Sequence, residues 1–411
     1  MVDRIEVPLS IDGFEVTGSE VVAGQLQVDV VSTRRQACHH CGSLDAIGHG
    51  RRRRVIRDRA CAYPTVLRWS QRRFKCRDCE RTYQERHPEI CGRRAVTRRF
   101  RRHLYKRAVI QPFTHVAATE NVSPYRVIEA FDWHSLEDVK MPLRSTPQVI
   151  SIDESAFKRR WRYHTVLSAP LDDGVFELID GRERADVEAS LLALSPQVRA
   201  GIRAVVVDLF WPYAKAVESA LPDAAIVADK FHVLAAIGRA STDVRRRCGL
   251  RDIPISKRTG RPLHRRQFRR FDPEVLATKW TFVKRCSKLS AAERARLDRL
   301  FERFPEIGVG WLMRETFAAI YDSSDRQEAE RRLEHWESHL AVAGLPELNR
   351  CWRSVSGWRE AILAYFDWPF TNAFAEGITN KIKVVKRCAY GFTNKERYRR
   401  KVLLACGRRI G

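Results

Sequence analysis

The chain has 411 residues, 44% of them hydrophobic, which is enough to bury more than one core and suits two to four domains. Lysine and arginine total 75 against 50 aspartates and glutamates, so the net charge of +25 and pI near 10.1 call for a polyanionic partner, nucleic acid first. No apolar stretch is long enough to span a bilayer and Met1 to Ser10 lacks a signal-peptide core, which argues against membrane and secreted classes and for a soluble, cytoplasmic protein.

Eleven cysteines in a reducing compartment are tested for metal binding before disulfides. Cys38-His39-His40-Cys41 and Cys76-Arg77-Asp78-Cys79 are two Cys-x-x-Cys pairs, and together they offer four thiolates to one tetrahedral Zn²⁺. His39, His40 and His87 stand as substitute ligands, while the other seven cysteines show no such pairing. Between the pairs lie the basic run Arg51-Arg52-Arg53-Arg54 and a strand-like stretch from Thr65 to Phe74, so residues 1–92 read as a β-rich zinc-binding domain. A closed four-thiolate site leaves no position for substrate, which sends catalysis elsewhere.

Residues 93–140 read as a helix-turn-helix. Arg98 to Ile110 is a basic helix, Pro112 starts a short helix carrying Val116 and Ala117, and a turn follows at Glu120 to Val122. Ser123 then serves as N-cap and Pro124 as the first helical residue of a helix through Phe131. In this reading Tyr125 and Arg126 reach bases of double-stranded DNA while Arg99 and Arg102 hold phosphates. The alternative is a plain helical hairpin.

Three later apolar runs lead to aspartates: Val149 to Ile152 before Asp153, Ala204 to Val207 before Asp208, and Ala225 to Ala228 before Asp229. Such β-branched runs suit strands covered on both faces. With strands at Tyr163 to Ala169 and Val175 to Ile179 and a helix at Ala185 to Leu194, the order is that of an α/β ribonuclease-H-like core, its first part at 148–244. Function gathers at the carboxyl ends of such strands, and Asp153 meets Asp208 if the first and fourth strands are neighbours. Paired carboxylates there suit two Mg²⁺ (or Mn²⁺) ions about 3.5 to 4 Å apart.

The third carboxylate is sought in residues 355–411, read as C-terminal helices of the core. Asn372, Glu376, Asn380, Lys383 and Arg387 share one helical face, which puts metal and phosphodiester ligands on one stripe. The plain alternative is a solvated charged face. Glu154 rivals Asp153 but points to the opposite side of its strand. Asp229, with His232 three residues on, rivals Asp208; it also suits a helix cap, and the pair is read as active-site neighbours. Residues 245–354 read as an inserted helical domain, with a basic loop from Lys257 to Arg270.

These residues resemble the ISL-three family of bacterial insertion-sequence transposases over nearly the whole chain. The likeness rests on Arg72-Arg73-Phe74-Lys75-Cys76, the strand of Asp153, Asp208-Leu209-Phe210-Trp211-Pro212-Tyr213 and Asp229-Lys230-Phe231-His232. It continues through Glu376-Gly377, Asn380-Lys381-Ile382-Lys383, Lys386-Arg387 and Gly391-Phe392. The resemblance implies an Asp-Asp-Glu catalytic core that binds terminal inverted repeats and transfers them to target DNA, in a nucleoid-associated protein acting as a homodimer or larger assembly. A retired DNA-binding derivative and a structure-selective nuclease on the same fold are the competing functions.

Overall fold

Period-two burial over Gln25–Ser32, with Leu26, Val28 and Val30 inward, makes that segment a half-buried strand, and a sheet is built on it. The structure, a computed structural model, describes residues 10–91, 95–140, 146–158, 162–171, 174–249, 272–388, 392 and 394–407. It forms two compact units: the described residues up to 140 with those of 384–405, and the described residues of 146–383 with 406 and 407. Among the described residues no helix is long and apolar enough to cross a membrane.

In the first unit, β1 (Phe14–Val22), β2 (Gln25–Ser32), β3 (Ala46–Cys61), β4 (Tyr63–Cys76) and β5 (Thr82–Gln84) make one sheet. Its order is β1-β2-β4-β3, with β5 on β4; β2 and β4 run parallel and the other pairs antiparallel. Leu26, Val28, Val30, Ile56, Leu67 and Trp69 form its core. Three helices follow at the expected places: α1 (Arg98–Ile110), α2 (Phe113–Thr119) and α3 (Pro124–Asp138). They bury Phe100, Leu104, Val116, Val127 and Phe131 together with Leu404 from a helix at Lys395–Cys406. Thr97 caps α1 by accepting from Phe100 N, and its hydroxyl donates to Asp58 on β3 at 2.6 Å. Pro124 opens α3 as expected, but the Ser123 hydroxyl makes no capping bond.

The second unit is α/β. β6 (Val149–Lys158), β7 (Arg162–Ala169), β8 (Gly174–Asp180), α4 (Arg184–Leu192), α5 (Pro196–Gly201), β9 (Ala204–Val207), α6 (Trp211–Ala220), β10 (Ala225–Ala228) and α7 (Lys230–Cys248) follow in chain order. The sheet order is β10-β9-β6-β7-β8, parallel from β10 to β6 and antiparallel from β6 to β8. β9 is buried on both faces: Val205 and Val207 join one core with Val217 and Ile237, while Ala204 and Val206 join another with Ala364. This double burial explains its unbroken β-branched run.

Among the described residues seven more α-helices follow in this unit before its last helix: α8 (Pro273–Ala277), α9 (Lys279–Phe282), α10 (Ala291–Arg303), α11 (Pro305–Ile320), α12 (Arg326–Ala343), α13 (Pro346–Val355) and α14 (Arg359–Leu363). Met313, Phe317, Leu333 and Trp336 belong to the same core as Val205, with α11 and α13 packed on α7, whereas Val275, Phe282, Leu297, Leu300 and Ile307 form a core of their own. The basic loop from Lys257 to Arg270 lies outside the described residues. α15 (Ala373–Cys388) and α16 (Lys395–Cys406) are the last helices described. The division between units falls after Lys383, inside the 355–411 segment that was expected to stay whole.

Candidate active site

Strand register decides where the carboxylates fall. Ile152, Val207 and Ala228 are partners across β6, β9 and β10, so the residues that follow them, Asp153, Asp208 and Asp229, stand in one row on three adjacent strands. Asp208 and Asp229 sit just past the carboxyl ends of their strands; Asp153 lies inside β6, which runs on to Lys158. Alternation sends Glu154 the other way, to Tyr213 Oη at 3.4 Å and Arg182 at 3.7 Å.

The loop and helix after α14 bind this row. Asn372 N donates to Asp229 Oδ1 at 3.0 Å, and its side-chain Nδ2 donates to Asp208 Oδ1 at 2.7 Å and to the Ile152 carbonyl at 3.3 Å. Two turns on, Thr379 Oγ1 donates to Asp153 Oδ2 at 2.8 Å. Residues 372, 376 and 379 share one helical face, so Glu376 lies between the two residues that grip the aspartates. Glu376 itself is exposed, as are Asn380 and Lys383, and Lys383 Nζ lies 3.3 Å from Asn380 Oδ1.

His232 Nδ1 lies 2.7 Å from Asp229 Oδ2 and 3.1 Å from Asp208 Oδ1. Ionised carboxylates only accept, so Nδ1 carries the proton and bridges both. Asp229, almost wholly buried, also caps α7 by accepting from His232 N, so the cap and the site are one residue. Burial pushes Asp208 up to about 6, helped by Asp153 and Asp229 and opposed by His232 and the Asn372 amide. Burial also pushes Asp229 up, but His232 and the Asn372 N–H outweigh it and hold it below the usual carboxylate range. His232 is raised by its bond to Asp229 and by the charge of Asp208. Ligand atoms of Asp208, Asp229 and His232 all lie within 4.8 Å of one another, a group that includes neither Asp153 nor Glu376. The ranking of Asp229 and His232 as neighbours thus meets a geometry that draws them in beside Asp208, because β10 lies next to β9.

In the first unit, the Sγ atoms of Cys38, Cys41, Cys76 and Cys79 form a second group of that size. Cys38 to Cys79 is 3.6 Å and Cys41 to Cys76 is 3.5 Å, against an edge of about 3.8 Å for a tetrahedron with Zn–S bonds of about 2.3 Å. Each pair is followed by a left-handed residue, Gly42 at φ +80° and Glu80 at φ +56°, that turns the chain around the thiols. No histidine joins this group: His39 Nε2 meets the Gln84 carbonyl at 3.0 Å, and the His87 ring stacks on Phe14. The four-thiol set fits Zn²⁺.

Comparison with known proteins bears on both groups. The ISL3-type DDE family model, described as "Transposase", matches residues 150–402, and one described as "zinc-finger of transposase IS204/IS1001/IS1096/IS1165" matches residues 34–79. The chain belongs to the ISL3 family of insertion-sequence transposases. It is 26% identical over 378 residues to the transposase for insertion sequence element IS1001 of Bordetella parapertussis, covering 90% of this chain and 88% of that one. It is also 26% identical over 256 residues to the transposase for IS1557 of Mycobacterium tuberculosis, covering 60% of this chain and 57% of that one.

The basic residues of this transposase divide in ways the sequence did not suggest. Arg52 pairs across the sheet with Gln71, whereas Arg53 turns to the opposite face toward Asp29 at 3.5 Å, so Arg51 to Arg54 is two pairs on two faces. Arg99, expected on phosphate, forms an ion pair with the buried carboxylate of Asp58, the same group that anchors Thr97. Arg102, Tyr125 and Arg387 are exposed and Arg126 is half-buried. Sequence reasoning put Asn372 on the stripe of Glu376 but not its bonds to Asp208 and Asp229, and it missed Thr379; their signal is polar side chains at four residues before and three after Glu376.

Proposed function

We propose that this transposase binds the terminal inverted repeats of its element as double-stranded DNA, cleaves them and joins the freed strands to target DNA. Its metal ligands are Asp153, Asp208 and Glu376, on a core of ribonuclease-H-like order. The observation that carries the reading is the row of Asp153 and Asp208 on neighbouring strands, with residues on both sides of Glu376 bonded to them. The chemistry of the donors suits a hard cation: burial, with Asp153 and Asp229 nearby, lifts Asp208 to about 6, and the buried Asn372 Oδ1 has no partner among the described residues.

Mg²⁺ or Mn²⁺ held there supplies Lewis acidity to the phosphodiester and to its attacking oxygen. Asn372 and Thr379 orient the carboxylates, and Asp229 with His232 supports Asp208 from the side. The cationic face of α15, with Lys383 and Arg387, meets DNA phosphates. In the first unit, α2 and α3 act as the helix-turn-helix, presenting Tyr125 and Arg126 to bases, while Arg51, Arg52, Arg53 and Arg102 add phosphate contacts. Holding two ends together calls for a homodimer or larger assembly.

The test is incubation of the protein with Mg²⁺ and a labelled duplex bearing its element's inverted repeat, beside Asp208→Ala. Cleaved and joined products from the unaltered protein alone support the reading; specific binding with no cutting by either protein replaces it with a DNA-binding role.

A further inference from the structure

Between Asp229 and His232, which belong to the aspartate site, stand Lys230 and Phe231 in the first turn of α7. Phe231 is exposed, whereas Lys230 is half-buried against a cluster of rings. Its Nζ lies 5.1 Å from the ring centre of Tyr321, at the end of α11, and 5.2 Å from that of Tyr365, in the 3-10 turn Ala364–Phe366. The two rings meet edge to face at 5.3 Å. Tyr321 is buried in the core that holds Val205, and Tyr365 packs against that core. Among the described residues no carboxylate pairs with this ammonium, and a cation in the first turn of a helix opposes the helix dipole. Attraction to the two ring faces is what holds the charge in place.

Tyr365 stands near the start of a short arm that ends at Asn372. The arm turns tightly: Asp367 N and Trp368 N both donate to the Ala364 carbonyl, at 3.2 and 2.9 Å, and Phe370 N donates to the Trp368 carbonyl at 2.7 Å. Trp368 and Phe370 pack with Val149 and Val206 of the sheet. At the far end Asn372 bonds Asp229 and Asp208; at the near end Tyr365 meets Lys230, the residue next to Asp229. The start of α7 is therefore tied to both ends of the arm.

We propose that Lys230 is a positioning residue: through the faces of Tyr321 and Tyr365 it fixes the arm 364–372 against the start of α7, and so fixes Asn372 on Asp208 and Asp229. The inference rests on the reading of the aspartate row as the metal site, and the tie is measured without metal so that the two fail independently.

Backbone hydrogen exchange of the peptide spanning 365–376 is followed by mass spectrometry in zinc-loaded full-length protein with no Mg²⁺ added. The variants are Lys230→Met, Lys230→Arg, Tyr365→Leu and the double variant of Lys230→Met with Tyr365→Leu. Lys230→Met and Tyr365→Leu are each expected to speed exchange about tenfold, and the double variant to go no further than the faster single. Lys230→Arg, whose guanidinium also lies on ring faces, is expected to stay within about twofold of the unaltered protein. Mn²⁺ binding, read by electron paramagnetic resonance, is expected to weaken about threefold in the variants that exchange faster. Unchanged exchange in Lys230→Met overturns the proposal, as do single effects that multiply in the double variant. So does weaker, salt-dependent duplex binding with exchange and Mn²⁺ affinity intact, which makes Lys230 a phosphate contact instead. Failure of the unaltered protein to bind Mn²⁺ counts against the metal-site reading, and the exchange rates still decide the tie. Should Lys230→Met fail to fold, Lys230→Gln takes its place, and normal exchange in that variant overturns the proposal.

Discussion

The thiol group of the first unit and the Asp208, Asp229 and His232 group in the aspartate row of the second are both the size of a metal site, and they are built in opposite ways. The four thiols come from two turns whose furthest members are 41 positions apart, and the donors surround the space between them. The aspartate site joins residues up to 226 positions apart, each fixed by a strand or helix that is packed for other reasons. A metal in the first kind of site organises its surroundings, so folding and binding are one event. In the second kind the sheet holds the carboxylates whether or not a cation is bound, and one side stays open for substrate. The consequence is that metal loss should unfold part of the first unit and only silence the second.

The largest effect expected is on catalysis. Asp153→Asn and Glu376→Gln should each lower single-turnover cleavage on the order of 10³-fold or more while end binding persists, since ligand loss leaves the DNA-reading elements intact. Should Glu376→Gln cut normally while Asp229→Asn is inert, the working ligands would be Asp208, Asp229 and His232, the tighter group. Next comes the thiol centre: Cys38→Ser should abolish zinc retention, measured by mass spectrometry, and lower duplex binding through local unfolding, with the aspartate unit still folded. Full binding without zinc would erase the contrast between the two sites.

A smaller effect falls on Asn372→Leu. Losing the donor to Asp208 should weaken Mg²⁺ dependence about 10- to 100-fold, read as a shift in the midpoint of a metal titration rather than in thermal stability. The smallest concerns a long-range tie of the first unit, Asp132 on α3 with Arg397 and Arg400 on α16. Burial pushes Asp132 up, but the two arginines outweigh it and hold it below the usual carboxylate range. A depressed native value means its stabilisation is full above the unfolded value of about 3.9 and is lost as pH falls through the lower native one. Partial exposure limits the tie to about 1 kcal/mol, so Asp132→Asn should lower the melting point slightly at neutral pH and not at all in strong acid.

The contrast between the sites also explains what the sequence made legible. Cys-x-x-Cys spacing is a local rule, and the thiols are found where it puts them. Apolar runs ending near Asp153, Asp208 and Asp229 mark strands because burial on both faces writes itself into unbroken β-branched stretches. The row they form was conditional on neighbouring strands, which only the sheet order reveals. Asn372 and Thr379 could not be assigned because their partners are distant in sequence and a polar residue near a helix start has many uses. Arg99 misled because basic residues read alike whether they face phosphate or a buried Asp58. The helices of 273–355 were read as an inserted domain from their charge; α11 to α13 share apolar residues with the core of the sheet, while Val275, Phe282, Leu297, Leu300 and Ile307 form a core of their own.

The most direct test of the central claim is Mn²⁺ binding, followed by electron paramagnetic resonance, in zinc-loaded full-length protein and in Asp208→Asn. We expect bound Mn²⁺ in the unaltered protein, its loss in the variant, and the same zinc content in both. Equal Mn²⁺ binding by the two proteins would contradict the account, because the cation would then be held somewhere other than the aspartate row.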